Sequence, residues 1–246
     1  MTLQDLKVKI FADGADVAAI RAMAARPWIR GFTTNPSLMR KAGVSDYAGF
    51  ARTVLAAVPD RPVSFEVFAD EFDEMERQAL EIASWGRNVN VKIPVMNTRG
   101  DFAGPLVGRL SRAGVQVNVT AVFTPGQVVE LAAHLDPATP AIVSVFAGRI
   151  ADTGVDPVPI MRESAAILRA RPSAELLWAS CREVLNVVQA DDAGCHIVTV
   201  PNDLLAKVSL LGKDYRDYSL ETVEMFYKDA WAAGYHIPLA VRPAAS

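Results

Sequence analysis

The amino-acid sequence predicts an α/β protein, a (β/α)8 TIM barrel with an extra C-terminal helix, on three observations. Eight short apolar runs of β type alternate with segments of helical periodicity along the 246 residues. Strict alternation of strand and helix is typical of a parallel sheet, and eight units is the number that closes a barrel. The glycine-rich nucleotide motifs of the rival architecture, an open doubly wound sheet, do not occur. No long linker divides the chain, so we expect one domain over residues 1–246.

The predicted strands are runs rich in valine, isoleucine and phenylalanine, bounded by turn residues. In order they are Val8–Ala12, Ile29–Thr33, Val63–Phe68, Val89–Ile93, Val115–Phe123, Ala141–Phe146, Leu176–Ala179 and His196–Val200. The helices between them repeat apolar residues three and four positions apart. In order they are Asp16–Ala25, Tyr47–Val58, Phe72–Trp85, Gly104–Ala113, Pro125–Leu135, Val158–Arg169, Glu183–Ala190 and Leu204–Leu210.

The extra helix is predicted over Tyr218–Gly234, beyond the eighth unit. Its apolar positions, among them Phe226, Tyr227 and Trp231, recur at helical spacing and describe an amphipathic helix. Such a helix would cap the barrel or bind a neighbouring subunit. We therefore expect a homo-oligomer.

The composition, 51% apolar and 22% charged, is that of an ordinary globular protein. The net charge of −3 and the scattered basic residues predict no nucleic-acid partner. Cys181 and Cys195 lie outside any metal-ligand spacing, which indicates a reducing compartment and no structural zinc. No apolar run reaches the roughly 18 residues of a membrane span, and no secretory leader is evident, so we expect a cytoplasmic protein without a membrane partner.

The most informative residue is Lys92, an ammonium inside the apolar run Val89–Pro94. Side chains alternate along a strand, so Lys92 points away from Val91 and Ile93. If its own face is closed to water, desolvation favours the neutral amine, a nucleophile able to form a Schiff base with a carbonyl substrate. The ordinary alternative is a lysine at a strand end that reaches solvent.

Polar residues recur near the C-terminal ends of the other predicted strands, where a barrel builds its chemistry. They are Asp13, Thr33, Asn35, Glu66, Asn118, Thr120, Ser144, Arg149, Ser180 and Arg182. Each has an ordinary explanation: a helix cap for Asp13, an ion pair for Glu66, rim salt bridges for Arg149 and Arg182, and mutual hydrogen bonding for Asn118 and Thr120. These explanations do not predict all of them at successive strand ends around one lysine.

Seven segments in order resemble the transaldolase family of Schiff-base-forming aldolases. They are Ala12–Asp16, Gly31–Leu38, Val63–Val67, Asn90–Pro94, Asn118–Phe123, Ser144–Ile150 and Ala179–Arg182. The resemblance covers nearly the whole chain and itself implies an (α/β)8 barrel. It implies that Lys92 forms the Schiff base, that Asp13 is the acid/base at the breaking carbon–carbon bond, and that Glu66 and Thr120 hold a catalytic water.

The resemblance also implies how a sugar phosphate binds. Thr33, Asn35, Asn118, Ser144 and Phe146 would contact the substrate. The phosphate-binding residues would be Arg149, Ser180 and Arg182, and guanidinium forks suit phosphate oxygens. No cofactor or metal is expected, because the iminium itself withdraws the electrons.

Three functions stay open on the sequence: a transaldolase, an aldolase that releases free dihydroxyacetone, and a non-catalytic sugar-phosphate-binding barrel. Aldolase-type relatives typically carry glutamine and tyrosine where this chain has Glu66 and Phe146, which favours transfer. A binder needs no buried amine beside two carboxylates, which counts against the third function. The loop at residues 94–101 matches neither subgroup, so the acceptor and the pathway, pentose phosphate or specialised, stay open.

Overall fold

A computed structural model describes residues 2–239. The strands are β1 Lys9–Asp13, β2 Ile29–Thr33, β3 Val63–Glu66, β4 Val89–Pro94, β5 Val117–Val122, β6 Ala141–Val145, β7 Ala174–Trp178 and β8 Ile197–Pro201. The helices are α1 Val17–Ala24, α2 Pro36–Lys41, α3 Tyr47–Ala57, α4 Phe72–Ser84, α5 Gly104–Arg112, α6 Pro125–His134, α7 Ala147–Asp152, α8 Val158–Leu168, α9 Leu185–Asp192, α10 Asn202–Leu205 and α11 Tyr215–Ala232. Leu3–Asp5 and Val208–Leu210 form short 3-10 helices.

The eight strands are all parallel and close into a barrel in the order β1 to β8, with β8 pairing back onto β1. The predicted (β/α)8 fold is therefore confirmed, as is the extra C-terminal helix α11. The compact unit at Leu3–Ser209 holds the barrel, and among the described residues a second unit comprises Thr2 and residues 210–239. The prediction of one domain over 1–246 stays a prediction.

Alternation along the strands separates the barrel interior from the layer under the helices. In β4, Val91 and Ile93 are fully buried, whereas Lys92 and Pro94 face the cavity at the upper end of the barrel. Because the interior residues of adjacent strands lie in register, Glu66 sits opposite Lys92, and Lys92 opposite Asn118. Register thus brings residues from distant parts of the chain into one layer.

The sequence did not predict two short helices that follow strands. α2 begins at Pro36, a favoured first helical residue, and Asn35 caps it by accepting a hydrogen bond from the Leu38 N–H at 2.9 Å. α7 follows β6 directly. Six residues in each are too few for a helical repeat to be visible.

The prediction of one helix over Leu204–Leu210 was wrong in its extent. The α-helix ends at Leu205, and a 3-10 turn starts at Val208. Between them the hydrogen bonding tightens, since the Lys207 N–H bonds the carbonyl of Leu204 three residues back.

α11 is an 18-residue helix that begins after Asp214, whose carboxylate accepts hydrogen bonds from the backbone of Arg216 and Asp217. No residue of this helix is buried. Its exposed apolar side chains include Val223, Phe226 and Trp231. Within residues 2–239, no helix combines the length and the apolar content that crossing a membrane requires.

Thr124→Ala should lower the free energy of unfolding by about 1 kcal/mol, because it removes half of a reciprocal capping box at the start of α6. The Thr124 hydroxyl accepts from the Gln127 N–H at 3.2 Å, and the Gln127 side chain accepts from the Thr124 N–H at 3.1 Å. Urea unfolding measures the change. Thr124→Ser keeps the acceptor and is the control; an equal loss in both variants would contradict the capping role.

Candidate active site

One cavity opens at the C-terminal ends of the strands, the end at which barrels of this kind build their sites. Its volume is about 490 Å³. All twelve residues predicted for the site line it: Asp13, Thr33, Asn35, Glu66, Lys92, Asn118, Thr120, Ser144, Phe146, Arg149, Ser180 and Arg182. The structure brings them together, and their individual roles stay predictions.

Lys92 lines this cavity and is only 7% exposed. Its amine donates to Glu66 Oε2 at 3.0 Å and to the carbonyl oxygen of Thr34 at 2.9 Å. The second contact exists because β2 ends at Thr33, which frees the Thr34 carbonyl from the sheet. The expected ion pair of Glu66 is therefore present, and its lysine partner is Lys92. The alternative in which this lysine reaches solvent is not what the structure shows.

Asp13 ends β1 and is held by a chain of hydroxyls. The Thr33 hydroxyl donates to Asp13 Oδ1 at 2.7 Å, and Thr199 lies 2.5 Å from the same hydroxyl oxygen. Since Thr33 has one proton and gives it to the carboxylate, Thr199 must donate to Thr33. Burial raises the pKa of the Asp13 carboxyl above its ordinary value, although the Thr33 hydrogen bond and the charge of Lys92 act to lower it. Asp16, not Asp13, caps α1.

Thr120 projects a hydroxyl into the site from β5. Its oxygen is buried and has no hydrogen-bond partner among the residues that the structure describes. The next residue, Ala121, has a φ of 58°, and the register of β5 against β6 shifts between Val119 and Val122. This irregularity turns the strand at Thr120. The cavity that Lys92 lines thus also holds a hydroxyl without a partner among the described residues.

Asn118, on β5, links β3 to β6 through side-chain hydrogen bonds inside the barrel. Its amide nitrogen donates to the Ser64 hydroxyl at 3.0 Å, and its oxygen accepts from the Ser144 hydroxyl at 2.6 Å. The ordinary explanation, a bond between Asn118 and Thr120, is therefore not observed. These two hydrogen bonds connect the side chains of Ser64, Asn118 and Ser144. The connection orients the Asn118 amide and the Ser144 hydroxyl.

Two arginines lie at the rim of the cavity. The Arg149 guanidinium stands 5.3 Å from the centre of the Phe146 ring. Arg182 pairs with Asp152 through two hydrogen bonds of 2.9 and 2.5 Å, and this pairing lowers the pKa of Asp152. The expected rim salt bridge is found for Arg182, and Arg149 stacks on an aromatic ring.

The backbone beneath these arginines is tightly packed. A Cβ at Gly148 would lie 1.5 Å from the carbonyl oxygen of Ser180, so only glycine fits there. Ser180 itself has a φ of 69°, a conformation that non-glycine residues rarely adopt. The Ser180 hydroxyl is thereby carried on a strained turn that Gly148 supports.

Several residues of the site were missed by sequence reasoning. Thr199 faces inward from β8 and anchors Thr33, and its place opposite in parity to the valines of that strand was an available signal. Cys181 also lines the cavity, and burial raises the pKa of its thiol to about 12. The Thr34 carbonyl and Asp152 left no signal, because their roles depend on where the backbone turns.

Among residues 2–239, no group of three or more histidine, cysteine, aspartate or glutamate side chains is arranged to hold a metal ion.

The family model described as "Transaldolase/Fructose-6-phosphate aldolase" matches residues 10–237. The chain belongs to this family. A transaldolase-family protein from Dehalococcoides mccartyi named "Probable transaldolase" is 34% identical over 202 residues, which span 82% of this chain and 90% of that one. One of the same name from a Thermoanaerobacter species is 37% identical over 202 residues, 82% of this chain and 89% of that one.

This transaldolase-family chain shares its fold with more distant proteins of known structure. The thiamine phosphate pyrophosphorylase from Pyrococcus furiosus superposes with a TM-score of 0.56 at 10% identity, over 85% of this chain and 96% of that one. At that identity the likeness shows the barrel alone.

Asp13→Asn should raise the free energy of unfolding near pH 7, and the gain should shrink as the pH falls. Because burial raises the Asp13 pKa, the stability linked to its proton is present at low pH and is lost as the pH rises through that raised pKa. An amide at this position does not ionise, so the variant does not lose stability as the pH rises. Urea unfolding of both proteins at several pH values between about 4 and 7 measures the difference.

Asp152→Asn is the matched control with the opposite sign. Arg182 lowers the Asp152 pKa, so the carboxylate contributes stability at neutral pH that disappears in acid. The amide should therefore be the less stable protein near neutrality. If both variants had a higher free energy of unfolding than the unaltered protein near pH 7, the raised pKa of Asp13 would be contradicted.

Proposed function

We propose that the protein is a transaldolase, which transfers a dihydroxyacetone unit from a ketose phosphate to an aldose phosphate through a Schiff base on Lys92. One observation carries the proposal: a buried amine lies 3.0 Å from the Glu66 carboxylate, in a cavity that Asp13 also lines. Family membership supports the same chemistry. An amine that shares a cavity with two carboxylates can be deprotonated and can attack a carbonyl, and a carboxylic acid there can protonate the adduct.

Schiff-base formation uses Lys92 and Glu66. Lys92 first gives a proton to Glu66, and the neutral amine attacks the ketose carbonyl. Glu66 gives that proton to the resulting alkoxide and takes another from the nitrogen, which yields a carbinolamine. Glu66 then returns a proton to the carbinolamine hydroxyl, which leaves as water and produces the iminium. The Thr120 hydroxyl would bind that water, and its lack of a partner among the described residues supports this role.

Bond cleavage uses Asp13. The carboxylate removes the proton from the substrate hydroxyl beyond the breaking bond, and the bonding electrons move to the iminium nitrogen. The products are an aldose phosphate, which departs, and an enamine on Lys92. The enamine then attacks the carbonyl carbon of an acceptor aldehyde, and Asp13 gives its proton to the new hydroxyl. Water hydrolyses the resulting iminium and frees Lys92.

The rim arginines suit the phosphate end of these sugars. Arg149, which follows β6, and Ser180 and Arg182, which follow β7, line the cavity. Guanidinium groups bind phosphate through charge-assisted, often bidentate hydrogen bonds. In this arrangement the phosphate is held at the rim while the carbonyl reaches the amine.

Transfer is favoured over release of free dihydroxyacetone by the residues next to the intermediate. Phe146 packs against Phe123, with ring centres 5.9 Å apart, and presents no hydroxyl to the cavity. A phenol at this position would offer a proton to the enamine and promote its release. The apolar ring instead preserves the enamine for an acceptor.

Borohydride reduction in the presence of fructose 6-phosphate should add a three-carbon or six-carbon adduct to the peptide that contains Lys92, detected by mass spectrometry. Lys92→Arg keeps the charge but should abolish the adduct and lower kcat by at least roughly 1,000-fold, because guanidinium does not form a Schiff base. Lys9→Arg is the control, since Lys9 pairs with Glu175 at the start of β1. Absence of any adduct on the unaltered protein would refute the proposal.

Release of glyceraldehyde 3-phosphate from fructose 6-phosphate should depend on the acceptor. With erythrose 4-phosphate present we expect the rate to rise by at least about tenfold, since the enamine is consumed by transfer rather than by slow protonation. A coupled assay with and without the acceptor measures this. A rate independent of the acceptor would identify an aldolase instead.

Three further parts of the proposal follow from the sequence. We propose a cytoplasmic protein, without a nucleic-acid partner, that self-associates through the apolar side chains of α11. The exposure of Phe226, Tyr227 and Trp231 supports the last of these.

A further inference from the structure

The backbone of Glu66 lies at a gap in the barrel sheet. β2 pairs with β3 only at Phe32 and Thr33, which face Val63 and Ser64. The Thr34 N–H still bonds the Ser64 carbonyl at 3.3 Å, but the Thr34 carbonyl accepts from Lys92 instead. β2 therefore supplies no backbone partner for Glu66, the last residue of β3.

The Tyr47 hydroxyl occupies that gap. It accepts from the Glu66 N–H at 2.7 Å and donates to the Glu66 carbonyl at 3.0 Å. One phenol thus provides the donor and the acceptor that two residues of a longer β2 would have provided. Burial raises the pKa of Tyr47, so its proton stays in place for the donated bond.

The Tyr47 ring is fixed by other aromatic side chains. It stands 4.6 Å from Phe68, 5.5 Å from Trp85 and 6.2 Å from Phe65, measured between ring centres. Tyr47 is also the first residue of α3, whose N-terminus Asp46 caps. Both the ring and its backbone are therefore anchored, and the hydroxyl has little freedom to move away.

The other edge of β3 is held by β4. The Val67 N–H bonds the carbonyl of Lys92 at 3.2 Å. The peptide units on both sides of Glu66 are consequently fixed: Tyr47 bonds both of them, and the strand that bears Lys92 also bonds the second. A carboxylate whose backbone is held in this way keeps its position relative to the amine.

We propose that Tyr47 is a positioning residue for Glu66, and that its hydroxyl aligns the carboxylate for proton exchange with Lys92. The inference rests on the proposed Schiff-base function. Tyr47 does not line the substrate cavity, so its effect must pass through Glu66. Tyr47→Phe removes the hydroxyl, leaves the aromatic ring, and frees the end of β3 to shift.

The test measures kcat, KM and the rate of borohydride-trapped adduct formation with fructose 6-phosphate as donor. For Tyr47→Phe we expect kcat and the adduct rate to fall by roughly tenfold, because proton transfer by a positioned group contributes one to several orders of magnitude. KM for the donor should change by less than about twofold, since the residues placed at the sugar and phosphate are untouched.

A matched control loosens the same aromatic cluster without touching Glu66. Trp85 contacts both Tyr47 and Phe65, and its indole N–H bonds Glu81 on the same helix. Trp85→Phe should leave kcat within about twofold of the unaltered protein. An equal fall in kcat for Trp85→Phe would overturn the inference in favour of general loosening.

A second background tests whether the effect passes through Glu66. In Glu66→Gln, adduct formation followed over hours should be slow, and adding Tyr47→Phe should change its rate by less than about twofold. A further fall of roughly tenfold would overturn the positioning role, because the two effects would then be independent.

Replacement of Tyr47 by 4-fluorophenylalanine fills the volume of the hydroxyl but cannot donate, and it serves if Tyr47→Phe does not fold. We expect the same fall as with phenylalanine. Replacement by 4-aminophenylalanine keeps a donor and a lone pair and should restore kcat to within about threefold of the unaltered protein. Normal kcat with the fluorinated residue would overturn the inference. If the unaltered protein forms no adduct, the proposed function fails instead.

Discussion

The structure depends on the burial of one ammonium inside a closed ring of strands. Removing such a charge from water costs several kcal/mol unless it is paired and hydrogen-bonded. Lys92 meets that requirement with a carboxylate oxygen and a backbone carbonyl, one from each of two preceding strand ends. The early ending of β2 and the end of β3 at Glu66 deliver these two acceptors to the same nitrogen. The pairing also keeps the Lys92 amine beside Glu66, the carboxylate that would accept its proton under the proposed function.

Around the pair of Lys92 and Glu66, hydrogen bonds between hydroxyl, amide and carboxylate side chains fix the orientation of the other residues that line the cavity. Thr199 supports Thr33, and Thr33 supports Asp13. Ser144 and Asn118 form a second such chain on the opposite strands. Each chain fixes side-chain orientation in the absence of substrate, so that little reorganisation is needed when one binds. The hydroxyl of Thr120 stands outside both chains, which is what a group reserved for an incoming molecule requires.

Much of the fold could be predicted from the sequence because its signals are local. The eight apolar runs, their alternation with helices and the parity of Lys92 within its strand are readable over a few residues. The short helices α2 and α7 have too few residues to show a period. The bond between Thr33 and Thr199 joins positions 166 residues apart and depends on barrel closure. The hydrogen bonds of Tyr47 and Asp152 depend on where the ends of α3 and α7 lie relative to the strands. No local sequence pattern indicates those positions.

The ion pair between Arg182 and Asp152 has a consequence for the lifetime of complexes. Under the proposed function, a phosphate on Arg182 would share the guanidinium with Asp152, which already accepts two of its hydrogen bonds. The affinity gained would be lower than at an unpaired arginine, because two anions would share one cation. Such sharing would weaken the binding of reactant and product alike, and turnover would gain from rapid departure if release were slow. Asp152 would thus speed the release of phosphorylated ligands from Arg182 at the rim of the cavity.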